Sequence, residues 1–289
     1  EEIIMKKFFK MSLMLMLSAS LVLSAGCAKK SSNEEGSNRL EKIISRGYIE
    51  VVTEPYFAPN EFIDPTKSGS EQYVGSDIEF AKYIADKLGV ELKIVPLEFG
   101  AVLSSITEGK YDLAISALAY TPAREKAMIL SKSYYFAENA PGYGLLIREE
   151  NADKIKNTYD LADRTVAVQS GSLQELFANE QIPEYKELKR VSSTTDGILM
   201  VQENKADSCV VSIPMAQLYI DANEGCGLSI VEDFEFTVDK KLSGVRVGIP
   251  SGENELAEKI NELIDEVVSS GQYEKWHEEY TEYAKQLGL

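Results

Sequence analysis

Residues 109–126 read Gly-Lys-Tyr-Asp-Leu-Ala-Ile-Ser-Ala-Leu-Ala-Tyr-Thr-Pro-Ala-Arg-Glu-Lys, and this stretch decides the fold. Gly109 stops the short helix expected over Ala101–Thr107, because glycine accepts the left-handed backbone that ends a helix. Asp112–Ser116 is a short apolar run with the length of a strand. Thr121-Pro122 then opens a new helix: the threonine hydroxyl caps free N–H groups, and proline fits the first helical position. Helix, strand and helix in such short units imply an α/β sheet with mainly parallel strands.

The same grammar extends both ways. Upstream, Tyr48–Val52 alternates and is rich in β-branched residues, which predicts a strand. Thr53–Val74 reads as a loop with three prolines and several aromatics. Asp77–Leu88 has apolar residues at Ile78, Ala81, Ile84, Ala85 and Leu88 and ends at Gly89, so it predicts a helix, with Asp77 as a capping or first-turn residue. Leu92–Leu97 follows as a strand. Downstream, Tyr143–Arg148 is a strand leaving this unit. A second series then begins: strand Thr165–Gln169, helix from Ser172, strand Lys189–Val191, helix Asp196–Asn204, strand Ser208–Ser212, helix Pro214–Asn223 and strand Leu228–Val231. A strand over Val245–Pro250 and helices from Glu253 and Gln272 close the chain. Two successive α/β units predict two lobes with a cleft between them.

Composition narrows the function. A net charge of −17 argues against a nucleic-acid partner, whose phosphates call for a basic surface. Hydrophobic residues make up 44% of the chain, enough for real cores. Cys209 and Cys226 fall near strand starts and could form a disulfide or remain buried thiols. The one histidine, His277, sits beside Trp276 in a polar helical stretch. No Cys/His cluster has zinc spacing, and no cofactor is expected.

The N-terminus carries Lys6-Lys7, an apolar run over Met11–Leu23 and then Leu23-Ser24-Ala25-Gly26-Cys27. The run is too short for a bilayer, which needs roughly 20 apolar residues, and reads as a secretory signal. It resembles a bacterial lipoprotein signal with its lipobox, although Ser24 stands where an aliphatic residue is usual. The resemblance implies that residues 1–26 are removed and that Cys27 is lipidated. Residues 27–38 would then tether the body to the outer face of the cell membrane. This segment is polar and of low complexity, and cannot pack a core.

Further motifs carry a second resemblance. They are Thr53-Glu54-Pro55-Tyr56-Phe57-Ala58-Pro59, Val74-Gly75-Ser76-Asp77-Ile78-Glu79, Gly109–Ala114, Thr121–Lys126, Val168-Gln169-Ser170-Gly171-Ser172-Leu173-Gln174-Glu175, and Gly248-Ile249-Pro250 with Gly271-Gln272-Tyr273. In this order they resemble the extracellular solute-binding proteins of polar amino acid ABC importers, often called family 3. The resemblance implies a type II periplasmic-binding-protein-like fold, each lobe a mainly parallel sheet flanked by helices. Lobe 1 would be 39–144 plus 240–289 and lobe 2 would be 145–239. A small polar solute, most simply an amino acid or related carboxylate, would be held in the cleft by hinge closure and delivered to an ABC permease.

Arg124 is the first candidate ligand residue. A cation in the first turn of a helix opposes the macrodipole, and a bound carboxylate would offset that penalty through two parallel hydrogen bonds. The alternative is a surface arginine paired with Glu125. Ser172 and Leu173 open a helix after a strand, where free N–H groups suit an anion. By the resemblance, N–H groups near Ala119 and Leu173 complete the carboxylate clamp. Phe57 and Phe99 match the aromatics that sandwich the ligand side chain, with Tyr56 and Tyr120 as further wall. Glu54 matches a position that meets a polar or basic ligand side chain. Ser116, which ends the Asp112–Ser116 strand, and Gln169, in the Val168–Glu175 motif, are further candidate ligand residues.

One departure bears on the ligand. Relatives that bind α-amino acids usually carry an aspartate for the ammonium where this chain has Ser212, and a hydroxyl residue where it has Ala119. Either Glu54 supplies the negative charge or the ligand lacks an ordinary α-ammonium. An enzyme on the same fold, similar to cyclohexadienyl dehydratases, is a competing reading for which Glu54 and Glu61 are available acids. A sensory ligand-binding protein is another.

Overall fold

The computed structural model describes residues 38–136 and 142–289; the expected signal segment, Cys27 and the expected tether up to residue 37 lie outside the described residues. The first element is a helix the sequence reading did not anticipate, α1 (Arg39–Arg46). Asn38 caps it by accepting the Glu41 N–H, and Gly47 ends it in left-handed geometry. Then come β1 (Tyr48–Thr53), β2 (Tyr56–Phe57), β3 (Glu61–Ile63), β4 (Tyr73–Val74), α2 (Ser76–Leu88), β5 (Glu91–Pro96), α3 (Phe99–Thr107), β6 (Leu113–Ala119), α4 (Pro122–Ala127) and β7 (Ile129–Tyr135). The second series is β8 (Tyr143–Arg148), β9 (Thr165–Gln169), α5 (Leu173–Gln181), β10 (Glu187–Val191), α6 (Thr194–Gln202), β11 (Ser208–Ser212), α7 (Ile213–Ala222) and β12 (Leu228–Ile230). The chain returns through β13 (Val245–Ile249) and ends in α8 (Asn254–Ser269) and α9 (Gln272–Leu287).

Two five-stranded sheets result, ordered β5-β1-β6-β13-β7 and β10-β9-β11-β8-β12. Both are mixed. Strands joined through helices pair in parallel, β1 with β5 and β6, and β9 with β10 and β11. The expectation of mainly parallel strands describes that half of each sheet. The other half is antiparallel, because β13 and β8 enter from the opposite direction. The presumed loop 53–74 contains a three-stranded antiparallel sheet, β2-β3-β4, whose strands are too short to show a period.

Both faces of each large sheet are covered, as strands buried on two sides require. In the first lobe Ile49, Val51, Phe80, Leu113, Ile260, Leu263 and Tyr273 fill one face. Val52, Phe99, Val102, Leu118 and Met128 fill the other. In the second lobe Leu145, Val166, Val168 and Phe177 lie on one side, and Leu146, Ala167, Ile198 and Cys209 on the other. Each fully buried side chain of this size contributes ~1.5–3 kcal/mol. His277 stacks on Tyr135 with ring centroids 4.5 Å apart, and burial lowers its pKa to about 4, so it serves packing. Cys209 and Cys226 are both free thiols, so the disulfide alternative falls; Cys209 is buried and Cys226 partly exposed. Among the described residues no helix is long and apolar enough to cross a membrane.

The lobes touch. Phe57 packs against the second-lobe core that holds Met215 and Ala216, and Ala119 lies among Leu145, Val168 and Leu173. Outside the cleft, Leu218 of α7 sits with Phe62, Val74, Tyr280 and Tyr283 of the first lobe and C-terminal helix.

Candidate functional site

Thr121 caps α4 by accepting the Arg124 N–H at 3.1 Å, with Pro122 inside the first turn. This fixes the start of α4 directly after β6 and turns Arg124 into the lobe boundary, where it is 6% exposed. Its guanidinium donates to the Ala119 carbonyl of the first lobe at 2.7 Å and to the Gly171 carbonyl of the second at 3.0 Å. It lies over the Phe99 ring, 5.3 Å from the centroid. Glu125 is not its partner, since Glu125 accepts the Tyr120 hydroxyl at 2.6 Å. Among the described residues no carboxylate lies within 4.0 Å of Arg124, and burial alone lowers its pKa, to about 10. It therefore stays charged at neutral pH, and a buried, unpaired cation is strongly unfavourable until an anion meets it.

The second-lobe wall is built by the β9–α5 turn. Gly171 adopts φ +74 there, which lets its carbonyl face Arg124, and an added Cβ would sit 3.3 Å from Leu103 of the opposite lobe. Ser172 caps α5 by accepting the Glu175 N–H, and the Glu175 carboxylate takes the Gly171 N–H at 2.7 Å. Among the described residues these caps leave the Leu173 and Gln174 N–H groups without an acceptor, and both residues are buried. Tyr143 joins this end: burial raises its pKa, and Arg124 opposes that shift. Ser212 pairs with Tyr143 across the β8–β11 ladder, but its side chain does not cap α7.

The other pole of the cleft is acidic. Glu54, at the end of β1, is 2% exposed, and among the described residues its Oε1 has no hydrogen-bond partner. Burial raises its pKa to about 8; the Gln169 side chain opposes the rise and Asp196 of α6 adds to it. Gln169 is itself set by Ser192 and Thr194. The Glu54 N–H donates to Ser116 Oγ at 3.0 Å, and that hydroxyl donates to Glu61 Oε1 at 3.1 Å. Burial first, then the charges of Asp77 and Glu54, hold the Glu61 carboxyl well above the usual range. Asp77 is not a cap: it lies in the first turn of α2 after Gly75, fully buried, accepting from Ala117 N at 2.7 Å and from the Tyr134 and Tyr273 hydroxyls.

The structure thus brings together Arg124, Ala119, Phe99 and Gly171 at one pole and Glu54, Ser116 and Gln169 at the other. Phe57 contributes from β2 against the second lobe. At Ala119 the carbonyl meets Arg124, whereas the sequence reading had its N–H on the ligand. Tyr56 is half exposed and reaches the second lobe through its carbonyl, which accepts the Thr195 hydroxyl at 3.4 Å. The sequence reading missed Tyr143, which carried only a strand signal, and left Gly171 as motif context. An opening of about 400 Å³ lined by Glu98, Gly100, Ala101, Ser170, Arg190 and Ser192 lies at the lobe boundary next to Phe99 and Gly171 in the chain. Among the described residues no group of His, Cys, Asp and Glu could hold a metal ion.

Residues 49–283 match the family model described as bacterial extracellular solute-binding proteins, family 3. The chain is 26% identical to the arginine-binding extracellular protein ArtP of Bacillus subtilis (strain 168), covering 91% of this chain and 94% of that one. Among solved structures, it is 30% identical to an amino acid ABC transporter substrate-binding protein of Streptococcus pneumoniae Canada MDR_19A bound to L-arginine. That match has a TM-score of 0.74 and covers 84% of this chain and 98% of that one. An ancestral amino acid-binding protein described as a precursor of cyclohexadienyl dehydratase matches with a TM-score of 0.70 at 28% identity, covering 85% of this chain and 100% of that one.

Proposed function

The chain belongs to the family 3 bacterial extracellular solute-binding proteins, and from that membership we propose that it captures a basic amino acid or a related cationic carboxylate between its lobes and hands it to an ABC permease. The observation that carries this reading is a pair of unmatched ionisable groups buried at the lobe boundary. Arg124 is a buried cation without a carboxylate, and Glu54 is a buried acid with an orphan oxygen. A ligand carboxylate satisfies Arg124 and the Leu173 N–H, and a positive group satisfies Glu54. Phe57 and Phe99 give the apolar wall that small-molecule clefts use around a few polar groups. Relatives named for arginine support the choice of a basic ligand. Ser212 lacks the charge to hold an α-ammonium, so Glu54 carries the cation in this reading. Closure is the chemistry: ligand contacts bridge the lobes, and no bond is made or broken. We place the protein outside the cytoplasm, anchored through lipidated Cys27, on the strength of the lipobox.

The test is a thermal-shift panel of L-arginine, L-alanine and ω-amino carboxylates. Binding to the native state raises the melting temperature by mass action. L-Arginine or an ω-amino carboxylate is expected to shift wild type and not Arg124→Ala. No shift with any member would refute the reading. A second reading, a dehydratase, is favoured by one observation: Glu54 is a buried acid whose pKa of about 8 keeps it protonated near neutrality, as a general acid requires, and burial also raises the pKa of nearby Glu61. In the receptor reading, ligand recovered after prolonged incubation is chemically unchanged.

A further inference from the structure

Strand β6 carries both poles of the cleft, Ser116 beside Glu54 and Ala119 beside Arg124, and between them it is irregular. From Arg246 to Gly248 on β13 the partners run from Leu118 to Ala114 on β6, so two steps on one strand face four on the other. This is a bulge, and within it Ala117 has φ +44, a left-handed conformation that residues with a Cβ rarely adopt. Bulging also takes the Ala117 N–H out of the ladder. It donates instead to Asp77 Oδ2 at 2.7 Å.

Asp77 is held to this task from every side. Tyr134 of β7 donates to both of its oxygens at 3.0 Å, and Tyr273 of α9 donates to Oδ1 at 2.5 Å. Tyr273 is fixed in turn by Ser76 at 3.0 Å and Asn60 at 3.2 Å. Glu61 is the other acid facing it, and the Ser116 hydroxyl donates to Glu61 at 3.1 Å. No cation lies within 4.0 Å of Asp77 among the described residues, so its partners are hydroxyls and one strained amide. Backbone held in a sparsely populated region persists only where its surroundings over-determine it.

Resting on the receptor reading above, we propose that Asp77 is a positioning residue of the ligand site: by gripping the Ala117 amide it holds the β6 bulge that sets Ser116 and Ala119 at the two poles. It touches no ligand. Its effect on binding passes through the Ala117 backbone, which separates this role from simple support of the core.

The experiment is a double-mutant cycle on the purified chain with Asp77→Asn, Ala117→Gly and both, read by calorimetric titration of L-arginine and by Tm without ligand. Glycine enters the left-handed region at no steric cost, so it removes the need for the grip. Asp77→Asn alone is expected to weaken L-arginine binding about tenfold, the scale of one hydrogen bond to a charged group. In the Ala117→Gly background the same change should weaken it less than about threefold, and the Tm losses should be non-additive in the same sense. Equal losses of affinity in both backgrounds, or additive Tm changes, overturn the proposal; the Tm arm tests the grip on the bulge, and the affinity arm tests its consequence for the site. Failure of wild type to bind any probe while the Tm coupling persists refutes the receptor reading alone. Should Asp77→Asn not fold, Ala117→Val decides: it leaves Asp77 intact but disfavours positive φ, and must weaken binding. Unchanged affinity there also overturns the proposal.

Discussion

Replacing Glu54 by glutamine tests the electrostatics of the cleft quantitatively. Burial lifts the Glu54 pKa from 4.5 to about 8. Between those values the unfolded chain is ionised at this position while the folded chain keeps its proton. The unfolded state then binds fewer protons, so wild-type stability falls as pH rises through this window. One pH unit corresponds to ~1.4 kcal/mol, so the whole window amounts to ~5 kcal/mol and the part below pH 7 to ~3 kcal/mol. Glutamine is isosteric with the protonated acid and has no proton to lose. The ligand-free variant should match wild type near pH 4.5 and gain on it steadily, reaching several kcal/mol above pH 8. At about 2–4 °C per kcal/mol for a protein of this size, the gap in Tm at pH 8 is on the order of 10 °C. Unfolding curves at four pH values between 5 and 8 measure it. Glu61 is common to both proteins but feels the Glu54 charge, so losing that charge eases its ionisation and adds to the gap in the same direction. A gap that is constant with pH, or a variant less stable at pH 8, would refute the argument. Binding runs the other way: the stabilised variant loses a charge that a cationic ligand needs, a stability–function trade-off seen at many sites.

Three further outcomes are expected. Wild-type affinity for L-arginine should rise about tenfold per pH unit between pH 6 and 8, then level off as Glu54 becomes ionised, as titrations at fixed ionic strength will show. Gly75→Ala should unfold the protein or cost at least ~3 kcal/mol in chemical denaturation: its φ is +130, and a Cβ would stand 2.1 Å from the Asn60 carbonyl oxygen. Cys209, buried and with its thiol pushed up to about 12, should resist thiol reagents at pH 8 in the native protein, whereas Cys226 reacts; mass mapping of labelled peptides distinguishes them.

Where structure is set by neighbours in sequence, it was legible. Thr121 and Ser172 do cap the helices they introduce, and Gly89 does end α2. Elements set by distant partners were not. β7 has no clean alternation, and its strand state follows from pairing with β13, over a hundred residues later. α1 is short and strongly polar, and Ile43 is its one buried residue. The site divides the same way. Arg124 stood out because a cation in a first helical turn is locally unfavourable. Asp77 gave an equally local signal, and it does lie in the first turn, but its burial was not legible, because a helix start does not say whether its acid faces water or a buried tyrosine pair. The burial of Glu61 was invisible for the same reason: it depends on α2 and β6 closing over β3.

The central claim is that the cleft binds by matching Arg124 to a carboxylate and Glu54 to a positive charge. The most direct measurement is calorimetric titration of L-arginine at pH 8 into wild type, Arg124→Ala and Glu54→Gln. The account predicts one site in wild type, with affinity lost at least about a hundredfold in each variant, the scale of breaking a buried charged pair. Unaltered affinity in Glu54→Gln, or binding that survives in Arg124→Ala, would contradict it.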